Sequence, residues 1–336
     1  MLIGHAAPER ALLDSWMSGR LHHAWLLAGP QGLGKAAFAQ RVAAFLLTRT
    51  NPQPDAAPDG FDTPGDTAAT RLVAAGNHPE LIRLERVAKE PGKEVARNIT
   101  VDQVRALTMR MQLTIAFGHW RVAIIDAIDD LEPGAANALL KTLEEPPART
   151  LFLLVSHSPG RLLPTVRSRC RLLRFQPIEE PALADWLRSQ RPLTEHRRLV
   201  SAVAAAGGIP GRALELADGD TVQLEQRLLA IAGSGDSGNK LREALARDVA
   251  GVAGKARFRL LLDLAPRLLL RLAREAGTAR TPAHLAGWDR VQAISRTAIS
   301  GSYDAAMIAF EIGNCFAALV DEGASPVAAS GLERRP

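Results

Sequence analysis

A glycine-rich stretch near the start of the chain has the residue types and spacing that bind phosphate. It reads GPQGLGKA and directly follows the apolar run of residues 22–28. Glycines let the backbone wrap a phosphate with its amide groups pointing inward, and a lysine supplies positive charge. The stretch matches a phosphate-binding loop up to its last position, where alanine replaces the hydroxyl that normally binds Mg²⁺. The candidate nucleotide contacts are Gly29, Gly32, Gly34, Lys35 and Ala36. The alternative is a glycine-rich turn that only begins a helix.

A carboxylate at the end of a second apolar run is the next candidate. Residues 122–125 are apolar and are followed by Asp126. This position suits a Walker B carboxylate that holds Mg²⁺. The alternative is a carboxylate that only caps the end of a strand. Ala127 follows where a hydrolase usually carries a glutamate that positions the attacking water. Ala36 and Ala127 together predict a site that cannot hydrolyse ATP, even if nucleotide binds.

A basic cluster is the third candidate. Arg167-Ser168-Arg169-Cys170 lies between a proline-containing loop and the extended run of residues 171–175. A guanidinium is rigid, always charged and well shaped for phosphate. The same stretch also fits a solvated basic surface or a patch that faces DNA, and this is the interpretation that the cluster alone favours.

The elements that must position these residues follow from hydrophobic patterning. Apolar runs at 122–125 and 151–155 flank a helix that begins at Glu132-Pro133 and ends at Pro146-Pro147. This is a βαβ unit, whose crossover is right-handed. Further strands are predicted at residues 22–28, 81–84 and 171–175. A helical face follows the phosphate loop, and a capping box at Thr100 and Gln103 predicts another helix.

Two motifs carry a family resemblance. The run ALLKTLEEPP at residues 138–147, the following LFLLVS, and the Ser168-Arg169-Cys170 cluster resemble the AAA+ subunits of sliding-clamp loaders. With its degraded phosphate loop, the chain is similar to the delta-prime family of bacterial DNA polymerase III subunits. The resemblance implies an α/β AAA+ P-loop domain with a parallel sheet flanked by helices, then a small helical lid domain and an all-α C-terminal collar domain.

The resemblance also implies a role in trans for Arg169, with Ser168 and Cys170 completing the motif. Arg169 would reach the γ-phosphate of ATP bound in a neighbouring subunit. The implied partners are ATPase motor subunits and delta in a hetero-oligomeric ring, and the sliding clamp and primed DNA through that complex. No cofactor is required, although ATP binding is allowed. Arg212 lies one residue off the family's nucleotide-sensing arginine, so we interpret it as a plain helix-start arginine.

The predicted domains are 1–178 for the AAA+ nucleotide-binding-like domain, 179–220 for the lid and 221–322 for the collar, with a frayed tail at 323–336. Residues 48–75 read as an irregular insertion. Many family members carry a four-cysteine zinc module there, and this chain has no cysteine in that stretch, so zinc is not expected. Cys170 and Cys315 lie far apart and indicate a reducing compartment.

Composition adds little about function. The chain has 336 residues, 41 Lys and Arg against 36 Asp and Glu, and a net charge of +5. That balance would suit a DNA-binding scaffold, but only six basic residues are lysine, which indicates a compositional bias. The N-terminus does not resemble a signal peptide, and no apolar run approaches the length of a membrane span. We therefore expect a cytoplasmic protein that does not engage a membrane.

The resemblance, together with Ala36 and Ala127, implies a stator of the DNA polymerase III clamp loader, part of a nucleotidyltransferase complex but without ATPase activity of its own. The competing prediction is an ATP-hydrolysing AAA+ motor subunit of a clamp or helicase loader, which a turnover assay would identify. A DNA-binding scaffold is the third class, and a salt-dependent DNA titration would identify it.

Overall fold

The computed structural model describes residues 3–49, 58, 60–63, 65–87, 96, 98–218, 221–275, 281–300 and 304–321. The chain divides into two compact units, residues 1–186 with 208–211 and residues 187–207 with 212–336. The division into three domains stays a prediction. The predicted tail at 323–336 lies outside the described residues, as do parts of the 48–75 insertion.

A five-stranded parallel sheet organises the first unit. Its strands are β1 (Ala24–Ala28), β2 (Leu81–Glu85), β3 (Arg121–Asp126), β4 (Thr150–Ser156) and β5 (Arg171–Arg174). They lie in the order β2-β3-β4-β1-β5, and every neighbouring pair is parallel. All five predicted strands are present with small differences at their ends. Because the strands are parallel, their carboxyl ends share one edge of the sheet and their amino ends share the other.

Helices cover both faces of this sheet. They are α1 (Ala6–Met17), α2 (Lys35–Leu47), α3 (Ala68–Ala74), α4 (Val101–Met111), α5 (Pro133–Glu144) and α6 (Pro164–Arg167). Alternate residues of β1 pack into different cores, since successive side chains of a strand point to opposite faces. Trp25 and Leu27 join α1 and α2 in one core, whereas Ala24 and Leu26 join α4 and α5 in the other. This arrangement confirms the predicted parallel sheet flanked by helices.

The insertion at 48–75 contains structure that sequence reasoning missed. Helix α3 lies within it and begins with a capping box between Thr67 and Thr70. Phe61 is buried and packs edge-on against Phe38 and Phe45, at 5.8 and 5.1 Å between ring centroids. A single aromatic residue in a polar, proline-containing stretch gives no periodic signal, and α1 was likewise not predicted.

The second unit is helical, without a strand in its described part. Helix α7 (Glu180–Gln190) crosses the boundary between the units. It is followed by α8 (His196–Ala206), α9 (Pro210–Asp218), α10 (Thr221–Ser234), α11 (Lys240–Val249), α12 (Gly251–Glu275), α13 (Thr281–Ser300) and α14 (Ala305–Asp321). Helices α10 to α14 share an apolar core that includes Leu261, Leu268, Ile312 and Phe316. Of the helices described, none combines the length and apolar character needed to cross a membrane.

Candidate functional site

The phosphate loop connects β1 to α2, as its sequence predicts. Gly34 precedes α2 with φ of 82°, a left-handed conformation that glycine adopts without strain. A Cβ atom at Gly29 would lie 2.5 Å from the carbonyl oxygen of Phe175. Glycine is therefore favoured at Gly34 by the left-handed backbone and at Gly29 by close packing, with or without a bound phosphate.

Lys35 is bonded to the loop itself. Its Nζ donates to the carbonyl oxygens of Gly29 and Pro30, each at 2.6 Å, and the residue is only 2% exposed. Burial lowers the pKa of Lys35 to about 8, although the negative charges of Asp126 and Asp129 act to raise it. In a phosphate loop the lysine normally points at the bound phosphate. Here the Lys35 ammonium instead donates hydrogen bonds to backbone carbonyls.

Further contacts close the loop from both sides. The amide of Gly211 donates to the carbonyl of Gly32 at 2.9 Å, and a Cβ atom at Gly211 would lie 3.1 Å from the Cα of Gly32. The buried His5 donates from Nε2 to the carbonyl of Leu33 at 2.7 Å. The loop is thus held in place by the protein's own groups.

Asp126 ends β3 beside Glu85 of β2, and both face an arginine. Arg83 places Nη2 at 3.1 Å from Glu85 Oε2 and at 4.0 Å from Asp126 Oδ2. The following residue, Ala127, is buried and carries no functional group. Position 36 is also alanine, so the residues here lack the hydroxyl that usually binds Mg²⁺ and the carboxylate that usually positions water. They do not fit a site that hydrolyses Mg·ATP.

Asp129 is a residue of this edge that sequence reasoning missed. Its carboxylate accepts hydrogen bonds from the Ser156 hydroxyl at 3.0 Å and from the amides of His157 and Ser158 at 2.7 and 3.1 Å. These contacts tie the turn after β3 to the end of β4. A carboxylate three residues after Asp126 was the available signal, because neighbouring parallel strands end at the same edge of the sheet.

Arg169 lies elsewhere, between α6 and the amino end of β5. Its Nη1 donates to the carbonyl of Thr165 at 2.8 Å and to the hydroxyl of Ser168 at 3.4 Å, and its Nη2 is paired with the carboxylate of Glu144. The side chain is 31% exposed. The phosphate loop follows the carboxyl end of β1, so Arg169 and the loop occupy opposite edges of the sheet.

The other motif residues differ from Arg169 in exposure. Ser168 is exposed, and its hydroxyl also donates to the Thr165 carbonyl at 3.1 Å. Cys170 packs against the apolar core, and burial raises the pKa of its thiol to about 12. Such a thiol stays protonated and unreactive.

Arg212 contacts a helix of its own unit. It places Nη2 at 3.2 Å from both the carboxylate and the carbonyl oxygen of Asp263 in α12. As for metals, no group of three or more His, Cys, Asp or Glu side chains in the described part of the chain could hold an ion. The expectation of no zinc stays a prediction.

Comparisons with known proteins identify the family. Residues 4–179 match the family described as DNA polymerase III, delta subunit. DNA polymerase III subunit delta' of Escherichia coli K12 is 36% identical over 68% of this chain and 64% of its own length. The same subunit of Pseudomonas aeruginosa is 38% identical over 67% of this chain and 65% of its own length. The chain thus aligns with slightly less than two thirds of each relative.

Among solved structures, a DNA polymerase III gamma subunit-related protein from Thermotoga maritima aligns with 91% of this chain and 99% of its own, at 16% identity and a TM-score of 0.44. The sequence matches are the stronger finding, since the matched family region covers more than half of the chain. This chain belongs to the DNA polymerase III delta subunit family, and the relatives that it resembles within that family are delta' subunits.

Proposed function

We propose that the chain is a clamp-loader subunit of DNA polymerase III that hydrolyses no ATP itself and supplies Arg169 to ATP bound in a neighbouring subunit. The observation that carries this proposal is the position of Arg169 at the sheet edge opposite its own phosphate loop. A guanidinium at that edge cannot serve a nucleotide in its own loop, whereas it is available to a subunit packed against that edge.

The chemistry asked of Arg169 is electrostatic. Charge spreads over the oxygens of the transferring phosphoryl group, and a planar, permanently charged guanidinium stabilises it. Arg169 is partly exposed and held by Thr165, Ser168 and Glu144. Holding the side chain in advance reduces the conformational entropy that would be lost on reaching the phosphate.

We infer that the chain's own phosphate loop contributes structure and not nucleotide chemistry. Lys35 is bonded to the carbonyls of Gly29 and Pro30, and Arg83 faces Asp126. We infer that the chain works without a nucleotide or a metal of its own. The motor-subunit alternative would require a hydroxyl at position 36 and a carboxylate at position 127, and both residues are alanine.

The partners follow from the names of the relatives. Besides delta' subunits, the chain resembles DNA polymerase III subunit tau of Bacillus subtilis, at 28% identity over 68% of this chain. We infer that the chain joins related subunits in a hetero-oligomeric ring that includes ATPase motor subunits and delta. In that ring it would contact the sliding clamp and primed DNA through the complex. Such a role in replication belongs in the bacterial cytoplasm.

Substitution of Arg169 in the reconstituted loader tests the proposal. Arg169→Ala is expected to leave the subunit folded and able to assemble, and to reduce ATP turnover at the boundary it serves by about 10³-fold. Intact boundaries elsewhere in the ring limit the observed loss. Arg169→Lys is expected to restore little, because an ammonium lacks the planar fork. The matched control is Arg174→Ala, on the exposed side of β5. Normal turnover and clamp loading with Arg169→Ala would contradict the trans role.

A further inference from the structure

The two motifs that carry the family resemblance meet in space. Glu144 belongs to the ALLKTLEEPP run and is the last residue of α5, whereas Arg169 belongs to the Ser-Arg-Cys cluster 25 residues later. Their side chains form an ion pair. The proposed function assigns a role to Arg169 and none to the glutamate.

Glu144 lies at a position where a carboxylate does not stabilise the helix. The carboxyl end of a helix carries partial negative charge, which disfavours an anion in the last turn. The pair with Arg169 is also half exposed, with 48% of the Glu144 side chain accessible, and such pairs contribute little to stability. Neither the helix dipole nor the stability of the ion pair therefore accounts for a carboxylate at this position.

The backbone at the end of α5 is anchored by hydrogen bonds, so Glu144 can hold the Arg169 side chain in place. His23 donates from Nε2 to the carbonyl of Leu143 at 2.9 Å, and Leu143 itself is buried. The turn that follows contains Pro146 and Pro147, and the Thr150 hydroxyl donates to the Pro147 carbonyl at 2.6 Å. Glu144 thus projects from a backbone that is bonded to His23, just before β1, and to Thr150, the first residue of β4.

Among the contacts of Arg169, the one to Glu144 differs in origin. Thr165 lies in α6 and Ser168 directly after it, so both are within four residues of Arg169 along the chain. Glu144 comes from another element, so it alone fixes the direction of the guanidinium relative to the sheet. Within the described residues, Nε of Arg169 has no hydrogen-bond partner, which leaves a donor for a further acceptor.

We propose that Glu144 is the positioning residue for Arg169, holding Nη2 so that the rest of the guanidinium is presented to a phosphate of the neighbouring subunit. This inference rests on the proposed function. A group positioned in advance reacts faster, and a displacement of about 1 Å costs on the order of 10²-fold in rate. Loss of Glu144 acts on turnover only through Arg169.

A double-mutant cycle in the reconstituted loader tests this role. The variants are Glu144→Ala, Arg169→Ala and the double variant, with Glu145→Ala as the matched control, because Glu145 is the adjacent carboxylate outside the pair. Assembly and thermal unfolding are measured alongside steady-state ATP turnover. We expect Glu144→Ala to reduce kcat for the turnover that depends on Arg169 by about 10-fold, with little change in KM. Glu145→Ala should have little effect.

The cycle gives the sharper result. In the Arg169→Ala background, Glu144→Ala is expected to cause no further loss, because its effect passes through the missing arginine. Glu144→Gln keeps the shape of the side chain and an acceptor oxygen, and it should restore part of the activity. It also serves as the second variant if Glu144→Ala assembles poorly.

Two other outcomes would overturn the inference. Increased turnover with Glu144→Ala and Glu144→Gln would mean that the carboxylate competes with phosphate for the guanidinium. Equal losses in the presence and absence of Arg169 would assign Glu144 a purely structural role. If Arg169→Ala itself leaves turnover unchanged, the proposed function fails first, and the two failures are thereby distinguished.

Discussion

Two arginine–glutamate pairs in the first unit use the same chemistry in opposite ways. Arg121 and Glu80 are buried, with side chains 5% and 2% exposed, and Arg121 Nε donates to Glu80 Oε2 at 2.6 Å. Arg169 and Glu144 are 31% and 48% exposed. The first pair stabilises a loop, and the second leaves its arginine accessible.

The buried pair is fully engaged by the backbone around it. Nη1 of Arg121 donates to the carbonyls of residues 110, 111 and 113, and Nη2 donates to that of Thr114. Glu80 accepts from the amides of Ala116 and Phe117 at 2.8 and 3.4 Å. Burial acts to raise the pKa of Glu80, but hydrogen bonds from Arg121 and Ala116 outweigh it and the pKa is lowered.

The contrast supports a structural role for Arg121 and is consistent with the functional role proposed for Arg169. Each of the three guanidinium nitrogens of Arg121 donates a hydrogen bond within the fold, so substitution of Arg121 should lower the stability of the protein. Arg169 keeps Nε uncommitted within the described residues and gains little stability from its pair. Substitution of Arg169 should therefore lower ATP turnover rather than stability.

The largest stability effect is expected at the buried pair. Glu80→Ala leaves the guanidinium of Arg121 buried without its counter-charge, which costs about 3 to 5 kcal/mol in the free energy of unfolding. Glu144→Ala removes the corresponding carboxylate from the exposed pair and should cost less than about 1 kcal/mol. Denaturant unfolding of the isolated subunit measures both values. Equal losses would remove the distinction between the two pairs.

A smaller effect is expected at Lys35, which is a buried cation of this unit like Arg121. Its folded pKa of about 8 lies below the usual value of about 10.4. Below pH 8 the ammonium is charged in both states, so its burial penalty is present in full. As the pH rises above 8 the folded state releases this proton first, and the penalty is relieved.

The wild-type subunit should therefore gain stability relative to Lys35→Met, by on the order of 1 kcal/mol between pH 7 and pH 9. Unfolding free energies of the two proteins at both pH values provide the measurement. If both proteins respond equally to pH, Lys35 keeps its proton through its bonds to the Gly29 and Pro30 carbonyls.

Much of the fold could be predicted because its signals are local. Short apolar or extended runs predicted all five strands, and the Thr100–Gln103 capping box is present at the start of α4. The missed elements have weaker patterns, as with α3, which begins with Thr67 and Thr70 in a polar stretch. Such caps carry little information without an apolar face behind them.

The site could be predicted only as residue types. Spacing identified Lys35 as a phosphate-loop lysine, but its bonds to Gly29 and Pro30 depend on the folded backbone. Likewise, Glu144 and Arg169 are 25 residues apart, and their pairing follows from how α5 and α6 pack. Long-range contacts of this kind arise from the fold, which is why no sequence pattern predicted the pairing of Glu80 with Arg121 either.

The central claim is that this subunit contributes an arginine to its neighbour while its own phosphate loop does no chemistry. ATP turnover of the reconstituted loader, measured with Lys35→Met and with Arg169→Ala in this subunit alone, tests that claim most directly. For Lys35→Met we expect turnover within about twofold of wild type. For Arg169→Ala we expect turnover at the boundary with the neighbouring subunit to fall on the order of 10³-fold. Loss of turnover with Lys35→Met, together with normal turnover for Arg169→Ala, would contradict the account.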